Sequence, residues 1–250
     1  MMPEWFNRVV SIPGRFLVKV ITSETGDYQS FSVHDARTLA HCLEPCDVLL
    51  VEGNLYLSGA IKYLTQSTWS HSAMYVGNII DPESGGEDPK VLIEADVKEG
   101  VVGVELSKYT SFNVRICRPV GLTTEDKNRV ISYMMRNLGN SYDLKNIVDL
   151  ARYLFPTPPV PARFRRKLIA LGSGDPTRAI CSSLIAQAFQ RINYPILPVS
   201  TEGEACEARH SSLFSPRDFD LSPYFEIVKP TLKAGFDYQE FCWRDRSGEA

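Results

Sequence analysis

This sequence has few histidines and no long apolar run. Only four of its 250 residues are histidine, so a site that needs an imidazole must draw on very few positions. No apolar run approaches the roughly 20 residues that span a bilayer. The first residues, MMPEWFNRVVSIPGRF, lack the apolar region and small-residue cleavage site of a secretory signal. We therefore expect a cytoplasmic protein without a transmembrane segment.

Neither sign of charge dominates the chain. Its 27 basic and 30 acidic residues give a formal net charge of -3, which provides no bulk attraction to nucleic acid. Six cysteines in a chain without a signal sequence indicate free thiols rather than a disulfide framework. The composition is that of an ordinary globular protein. We expect a single domain with no nucleic-acid partner, and the sequence leaves its oligomeric state open.

The first half of the chain alternates in the manner of a sheet. CDVLLVEG predicts a buried strand, and NLYLSGAIKYLTQ predicts a helix with Asn54 as its N-cap. SHSAMYVGNII and VLIEADV, on either side of a turn-rich loop, predict a hairpin. Two further stretches are expected to continue the sheet: GVVGVELSKY and NVRICRP.

The second half favours helices. TTEDKNRVISYMMRNLG predicts a helix capped by Thr123 or Thr124 and ended by Gly139. YDLKNIVDLARYLF predicts another, stopped by a Pro-rich, basic surface insertion. A helix beginning near Cys181 follows, and we expect irregular structure after NYPILP. This order of elements predicts an α+β fold.

Cys181 opens its predicted helix, and this position allows two interpretations. It follows the polar segment LGSGDP, so its sulfur lies in the first helical turn. There the partial positive charge of the helix N-terminus stabilises a thiolate, and unpaired N–H groups can bind an oxyanion. Free cysteine is also among the most buried residue types. Taken alone, Cys181 is either a core residue or a nucleophile.

A nucleophilic thiol needs a base, and His71 is the best placed of the four histidines. It opens the strand SHSAMYVG, where small neighbours leave its ring room to face a cleft. Glu94 and Asp96 share one face of the next strand, which could be the face that meets the Cys181 helix. A carboxylate there would fix the imidazole tautomer. A structural histidine and a solvated sheet edge are the alternatives.

A metal site is suggested by only one stretch. HCLEPC brings His41, Cys42 and Cys46 close together. A structural zinc site wants four ligands, and the nearest further candidate, His34, would have to fold back. Because Cys46 also begins a predicted buried strand, we expect no metal, and we expect no cofactor.

The order of these stretches resembles a known family. DVLLVEGN, SHSAMYVG, LIEADV, YDLKN and AICSSLIAQAF resemble the circularly permuted papain-like cysteine hydrolases related to NlpC, in particular the YiiX-type group. Lecithin:retinol acyltransferases are more distant relatives. In ordinary papain-like enzymes the cysteine helix comes first, whereas here His71 precedes Cys181. The resemblance implies a central antiparallel sheet or partial barrel packed against the cysteine helix.

The resemblance also implies roles for individual residues. It makes Cys181 the nucleophile, His71 the base and Glu94 the acid that orients the imidazole, with Asp96 as the alternative acid. Tyr142, in SYDL, matches a family position near the active site, where its hydroxyl could gate the cleft or assist an oxyanion.

Ser182, beside the nucleophile, is a further candidate for supporting substrate or oxyanion. The resemblance covers residues 46–226 approximately. We expect a single papain-like domain over residues 1–250, with a core from about 44 to 226, an N-terminal extension of residues 1–43 and a C-terminal tail of residues 227–250.

The expected activity is thiol-dependent hydrolysis of an amide or ester through an acyl-enzyme. The substrate would be a peptide, an amino-acid amide or a lipid-like acyl compound. The same three residues serve an acyltransferase, so that activity is an alternative. A binding module that keeps the fold without turnover, and holds a small molecule or lipid in the same cleft, is the other.

Overall fold

The structure is a computed structural model that describes residues 34–83, 86, 88–96, 99–140, 180–198 and 209–233, and positions 23, 30, 235 and 237. Several sequence predictions lie outside these residues: strands before residue 34, the helix expected from YDLKNIVDLARYLF, and the Pro-rich insertion. Tyr142 lies outside them as well.

Six strands in the described part of the chain form one antiparallel sheet. Their order across the sheet is β4-β3-β2-β1-β5-β6. The hairpin predicted from SHSAMYVGNII and VLIEADV is confirmed as β2 and β3. The strands are β1 (Val48–Val51), β2 (His71–Tyr75), β3 (Lys90–Asp96), β4 (Gly100–Glu105), β5 (Val114–Pro119) and β6 (Phe225–Val228).

Helices lie before, between and after these strands, which confirms the α+β fold class. Two short 3₁₀ helices, Leu106–Tyr109 and Ser211–Leu213, complete the described elements. The α-helices are α1 (Ala36–Cys42), α2 (Tyr56–Thr65), α3 (Thr124–Arg136), α4 (Ile180–Gln190), α5 (Pro216–Asp220) and α6 (Pro230–Lys233).

Of the N-caps predicted for α3 and α2, the first is correct and the second is wrong. Thr123 caps α3, and its side chain accepts the N–H of Asp126, as its sequence predicts. The N-cap of α2 is Leu55, which makes no side-chain cap hydrogen bond, so the prediction of Asn54 as cap is wrong. The helix begins one residue later than the polar side chain suggests.

The alternation of strand side chains divides the core into two layers. Val48 and Leu50 of β1 face the layer that contains α3 and α4, whereas Leu49 and Val51 face the opposite layer. Full burial of each such side chain stabilises the fold by about 1.5–3 kcal/mol. The first layer, called here the helix layer, also buries Met74, Ile93, Ala95, Met134, Cys181, Ile185 and Phe189.

The opposite layer, called here the second layer, packs the first helix and the first 3₁₀ helix against the sheet. It buries Leu39, Ala73, Leu92, Val104, Leu106, Tyr109 and Ile116. Leu39 belongs to α1, so a helix from the predicted N-terminal extension contributes to this core.

The C-terminal part is more regular than its sequence suggests. The expectation of irregular structure after NYPILP is wrong, because α5, β6 and α6 all follow it. β6 pairs with β5 at the sheet edge, from Phe225 opposite Pro119 to Val228 opposite Ile116. The expected core boundary at residue 226 therefore falls inside a strand of the sheet.

A buried ion pair joins the residue before β1 to β5. Arg118 donates from Nε to Oδ1 of Asp47 at 2.9 Å and from Nη2 to Oδ2 at 2.7 Å. The Asp47 side chain is only 1% exposed, and it also accepts the N–H of Glu44. Burial raises the pKa of the Asp47 carboxyl above its ordinary value, and the hydrogen bonds from Arg118 and Glu44 offset part of that penalty.

Two further predictions meet the described residues. Cys42, Cys46, Cys117 and Cys181 are all free thiols, as predicted. Within the described ranges, no helix is both long and apolar enough to cross a bilayer.

Candidate active site

The strand β2 places His71 at its first position. His71 pairs with Val51 of β1, and alternation puts its ring on the same side of the strand as Ala73. Its side chain is 24% exposed. A ring at the end of a strand can contact both the second layer below it and the start of a neighbouring helix.

Glu94 lies in the middle of β3 and points into the second layer. Ile93 and Ala95, on either side, belong to the helix layer, so the suggestion that the Glu94 face meets the Cys181 helix is wrong. Oε2 of Glu94 lies 3.1 Å from Nε2 of His71. The contact forms because Ala73 pairs directly with Glu94, which brings His71 and the carboxylate to one face.

Two residues that sequence reasoning missed also bind this carboxylate. Lys108 Nζ donates to Oε1 of Glu94 at 2.5 Å, and the Tyr109 hydroxyl donates to Oε2 in a very short contact. Both donors belong to the 3₁₀ helix after β4. In the sequence the two residues are only a Lys-Tyr pair at the end of a predicted strand. Their contact with Glu94 was not predictable from that pair, because it depends on the register of the hairpin.

The carboxylate is held ionised inside the protein. Burial alone would raise the pKa of Glu94, but His71 and Lys108 outweigh burial and lower it to about 2. Burial and the adjacent carboxylate both raise the pKa of Tyr109 well above its ordinary value, so its phenol stays protonated and donates. Glu94 is therefore an anion with three donors around it when the imidazole is protonated.

Cys181 approaches the imidazole from the helix layer. It is the second residue of α4 and is only 5% exposed. Burial would raise the pKa of its thiol, but the charge of His71 and hydrogen bonds to His71 and Ser72 lower it to about 7. Cys46 shows what burial does without such a partner, since desolvation raises its pKa to about 12.

The imidazole between these two groups favours its charged form. Burial would lower the pKa of His71, but the Cys181 thiolate and the Glu94 carboxylate raise it to about 10. The directions for sulfur and ring agree, and both favour a thiolate-imidazolium pair near neutral pH. Because Nε2 faces Glu94, Nδ1 is the ring nitrogen available to the thiol.

A pair of serines joins the helix to the strand beside this pair. The hydroxyls of Ser72 in β2 and Ser182 in α4 lie 3.1 Å apart, and both side chains are fully buried. The Ser182 hydroxyl is thus directed towards the sheet. The backbone N–H of Ser182 lies in the first turn of this helix, where N–H groups are in general suited to bind an oxyanion.

The remaining candidates fall in different places. Oδ1 of Asp96 accepts the N–H of Glu99 in the turn towards β4, whereas the imidazole contact belongs to Glu94. Cys46 donates to the backbone carbonyl of Lys127. Within the described part of the chain, no group of three His, Cys, Asp or Glu side chains is arranged to hold a metal ion.

A thiolate, an imidazolium that interacts with it and a buried carboxylate behind the imidazolium form an arrangement suited to nucleophilic attack on a carbonyl. Residues 43–155 match the family described as permuted papain-like amidase enzyme, YaeF/YiiX, C92 family. The matched segment contains His71 and Glu94 and ends before Cys181. No curated protein matches the chain significantly. The resemblance to YiiX-type hydrolases is thereby confirmed, because residues 43–155 of this chain match the model of the permuted papain-like amidases.

Proposed function

We propose that this chain is a cysteine amidase that works through an acyl-enzyme, with Cys181 as nucleophile, His71 as acid and base, and Glu94 as orienting acid. The observation that carries the proposal is the convergence on one imidazole of a thiol with a lowered pKa and a buried, ionised carboxylate. The match of residues 43–155 to the model of an amidase family supports the same chemistry.

The first half-reaction forms a thioester. The thiolate of Cys181 attacks the carbonyl carbon of the amide, and the carbonyl oxygen becomes an oxyanion. Backbone N–H groups in the first turn of α4 are suited to bind that oxyanion. The imidazolium of His71 then gives its proton to the departing amine as the carbon–nitrogen bond breaks.

The second half-reaction releases the acid. Neutral His71, with Nε2–H held by Glu94, presents Nδ1 as a base that takes a proton from water. The hydroxide oxygen attacks the thioester carbon, the carbon–sulfur bond breaks, and the thiolate returns. An amine or alcohol in place of water would make the chain an acyltransferase, with the same three residues in the same roles.

The substrate in this proposal is a small peptide, an amino-acid amide or a lipid-derived acyl amide. Cys181 is only 5% exposed, so the scissile carbonyl must reach into a recess rather than lie across a flat surface. A protein that acts in the cytoplasm remains our expectation, and so does the absence of a cofactor, since the proposed steps need only side chains and water.

The test is acyl transfer to the protein from activated probes with peptidyl, aminoacyl and fatty-acyl groups. We expect a thioester at Cys181, located by peptide mass mapping and cleaved by hydroxylamine. Cys181→Ala should abolish it and His71→Ala should slow it at least a hundredfold. Cys42→Ala, which removes a buried thiol in α1, is the matched control and should leave labelling intact.

The outcomes separate the candidate functions. A labelled thioester that turns over in water supports the hydrolase, and one that persists until an amine is added supports the acyltransferase. Saturable binding of a probe without any adduct would identify a binding module. Equal labelling of wild type and Cys181→Ala would refute all nucleophilic roles for Cys181.

A further inference from the structure

The Glu94 carboxylate has more partners than an acid that only orients an imidazole needs. His71 and Tyr109 both donate to Oε2, and Lys108 donates to Oε1. The Glu94 side chain is 0% exposed, whereas that of Lys108 is 43% exposed. The ammonium therefore reaches from the surface to a carboxylate that water does not contact.

The charges in the site alternate. A Cys181 thiolate, a His71 imidazolium, the Glu94 carboxylate and the Lys108 ammonium balance to zero, with Tyr109 as a neutral donor. Asp96 is the further charged group that acts on Tyr109. In the acyl-enzyme the sulfur is esterified and the imidazole is neutral, so Lys108 would be the remaining cation paired with the buried carboxylate.

We propose that Lys108 and Tyr109 are positioning residues that keep Glu94 ionised and aimed at His71 throughout the catalytic cycle. This inference rests on the proposed function, because it gives the pair a task only if His71 changes protonation state during turnover. An isolated carboxylate in a dry interior takes up a proton, and a protonated Glu94 no longer holds the imidazole in one tautomer.

The geometry gives the two donors separate tasks. The ammonium of Lys108 places a positive charge beside Oε1 of Glu94, whereas His71 contacts the other carboxylate oxygen, Oε2. The Tyr109 ring lies 6.1 Å from the His71 ring, and its hydroxyl fixes Oε2 at the point where Nε2 also bonds. One residue therefore balances the carboxylate and the other fixes its rotation.

Loss of the ammonium has the same effect on the thiol by either of two routes. If Glu94 stays ionised, the site carries one uncompensated negative charge, which opposes a second anion at Cys181. If Glu94 takes up a proton, His71 loses the carboxylate that stabilises its charged form, and the thiolate loses its counterion. Both routes make the Cys181 thiol harder to ionise.

The experiment measures iodoacetamide alkylation of Cys181 against pH in the full chain. For Lys108→Met we expect the alkylation midpoint to rise by about one pH unit, with about a fivefold to tenfold slower reaction below the midpoint. Lys108→Arg should restore the midpoint. Lys62→Met, which breaks the pair with Glu52 at 3.4 Å, is the matched control and should not move it.

Tyr109→Phe provides a second readout that charge alone does not explain. It keeps the aromatic ring of a residue that is 4% exposed, and removes the hydroxyl. We expect hydrolysis of the acyl-enzyme to slow at least tenfold, because the neutral imidazole is no longer held for water activation. Unchanged circular dichroism and thermal midpoints in these variants would exclude unfolding as the cause.

The outcomes distinguish this inference from the function on which it rests. An alkylation midpoint near 7 in wild type that is identical in Lys108→Met overturns the positioning role and leaves the amidase proposal standing. A midpoint that shifts equally in Lys108→Met and Lys108→Arg also overturns it, because charge is then not the cause. A wild-type Cys181 that ionises like an isolated buried thiol overturns both.

Discussion

Acidification is the perturbation that tests the buried carboxylate most directly. Burial opposes the charge of Glu94, but His71 and Lys108 lower its pKa from an ordinary 4.5 to about 2. This difference corresponds to about 3 kcal/mol of folding stability. Because the pKa is lower in the folded chain, the stabilisation is complete above pH 4.5 and is lost as the pH falls towards 2. From about pH 5.5 to about pH 3, Glu94 alone should cost about 2 kcal/mol.

Urea unfolding at several pH values, on wild type and Glu94→Gln, isolates this group from the other carboxylates. We expect wild type to be more stable by about 3 kcal/mol near pH 5.5, and the gap to narrow by about 2 kcal/mol near pH 3. Glu83→Gln, at an exposed position between β2 and β3, is the control and should show no such narrowing. A gap for Glu94→Gln that stays constant across this range would refute the electrostatic argument for the site.

Two further predictions concern the thiol and the sheet. In His71→Asn, we expect the pKa of Cys181 to rise from about 7 to at least its ordinary 9, so that iodoacetamide labels it at neutral pH about 50-fold more slowly or worse. An unchanged pH profile would contradict the contact. In Arg118→Met, the buried Asp47 loses its bidentate partner, and urea unfolding should show a loss of about 3–5 kcal/mol that Asp47→Asn partly restores. A loss below about 1 kcal/mol would show that the pair contributes little.

Local patterns in the sequence were sufficient where chemistry and structure depend on neighbours along the chain. The cap at Thr123 follows from residues within one helical turn, and the hairpin of β2 and β3 follows from alternation around a turn-rich loop. The pairing of His71 with Glu94 was also within reach, because period-two alternation limits which residues of the two strands share a face.

The contacts that sequence could not predict depend on register and layer order. Alternation along β3 puts the side chain of Glu94 on one face of the sheet and those of Ile93 and Ala95 on the other face. It does not reveal which of the two faces α4 covers. Lys108 and Tyr109 reach Glu94 only because the whole hairpin of β3 and β4 returns the chain to that point. β6 was not predicted because its four residues form a strand through hydrogen bonds to β5, which lies more than a hundred residues earlier in the chain.

The sheet separates the proposed machinery into two halves. Cys181 lies in the helix layer, whereas the Glu94 carboxylate and its two donors lie on the side of the second layer, and the imidazole at the strand end interacts with both Cys181 and Glu94. Each layer is seated by its own apolar packing, with the buried hydroxyl pair of Ser72 and Ser182 between helix and strand. A substitution that weakens the packing of one layer thus displaces either Cys181 or Glu94 with its donors, while the other group stays in place. The reactivity of the Cys181 thiol then reports how closely α4 packs on the sheet. We expect this reactivity to fall under conditions milder than those that unfold the chain.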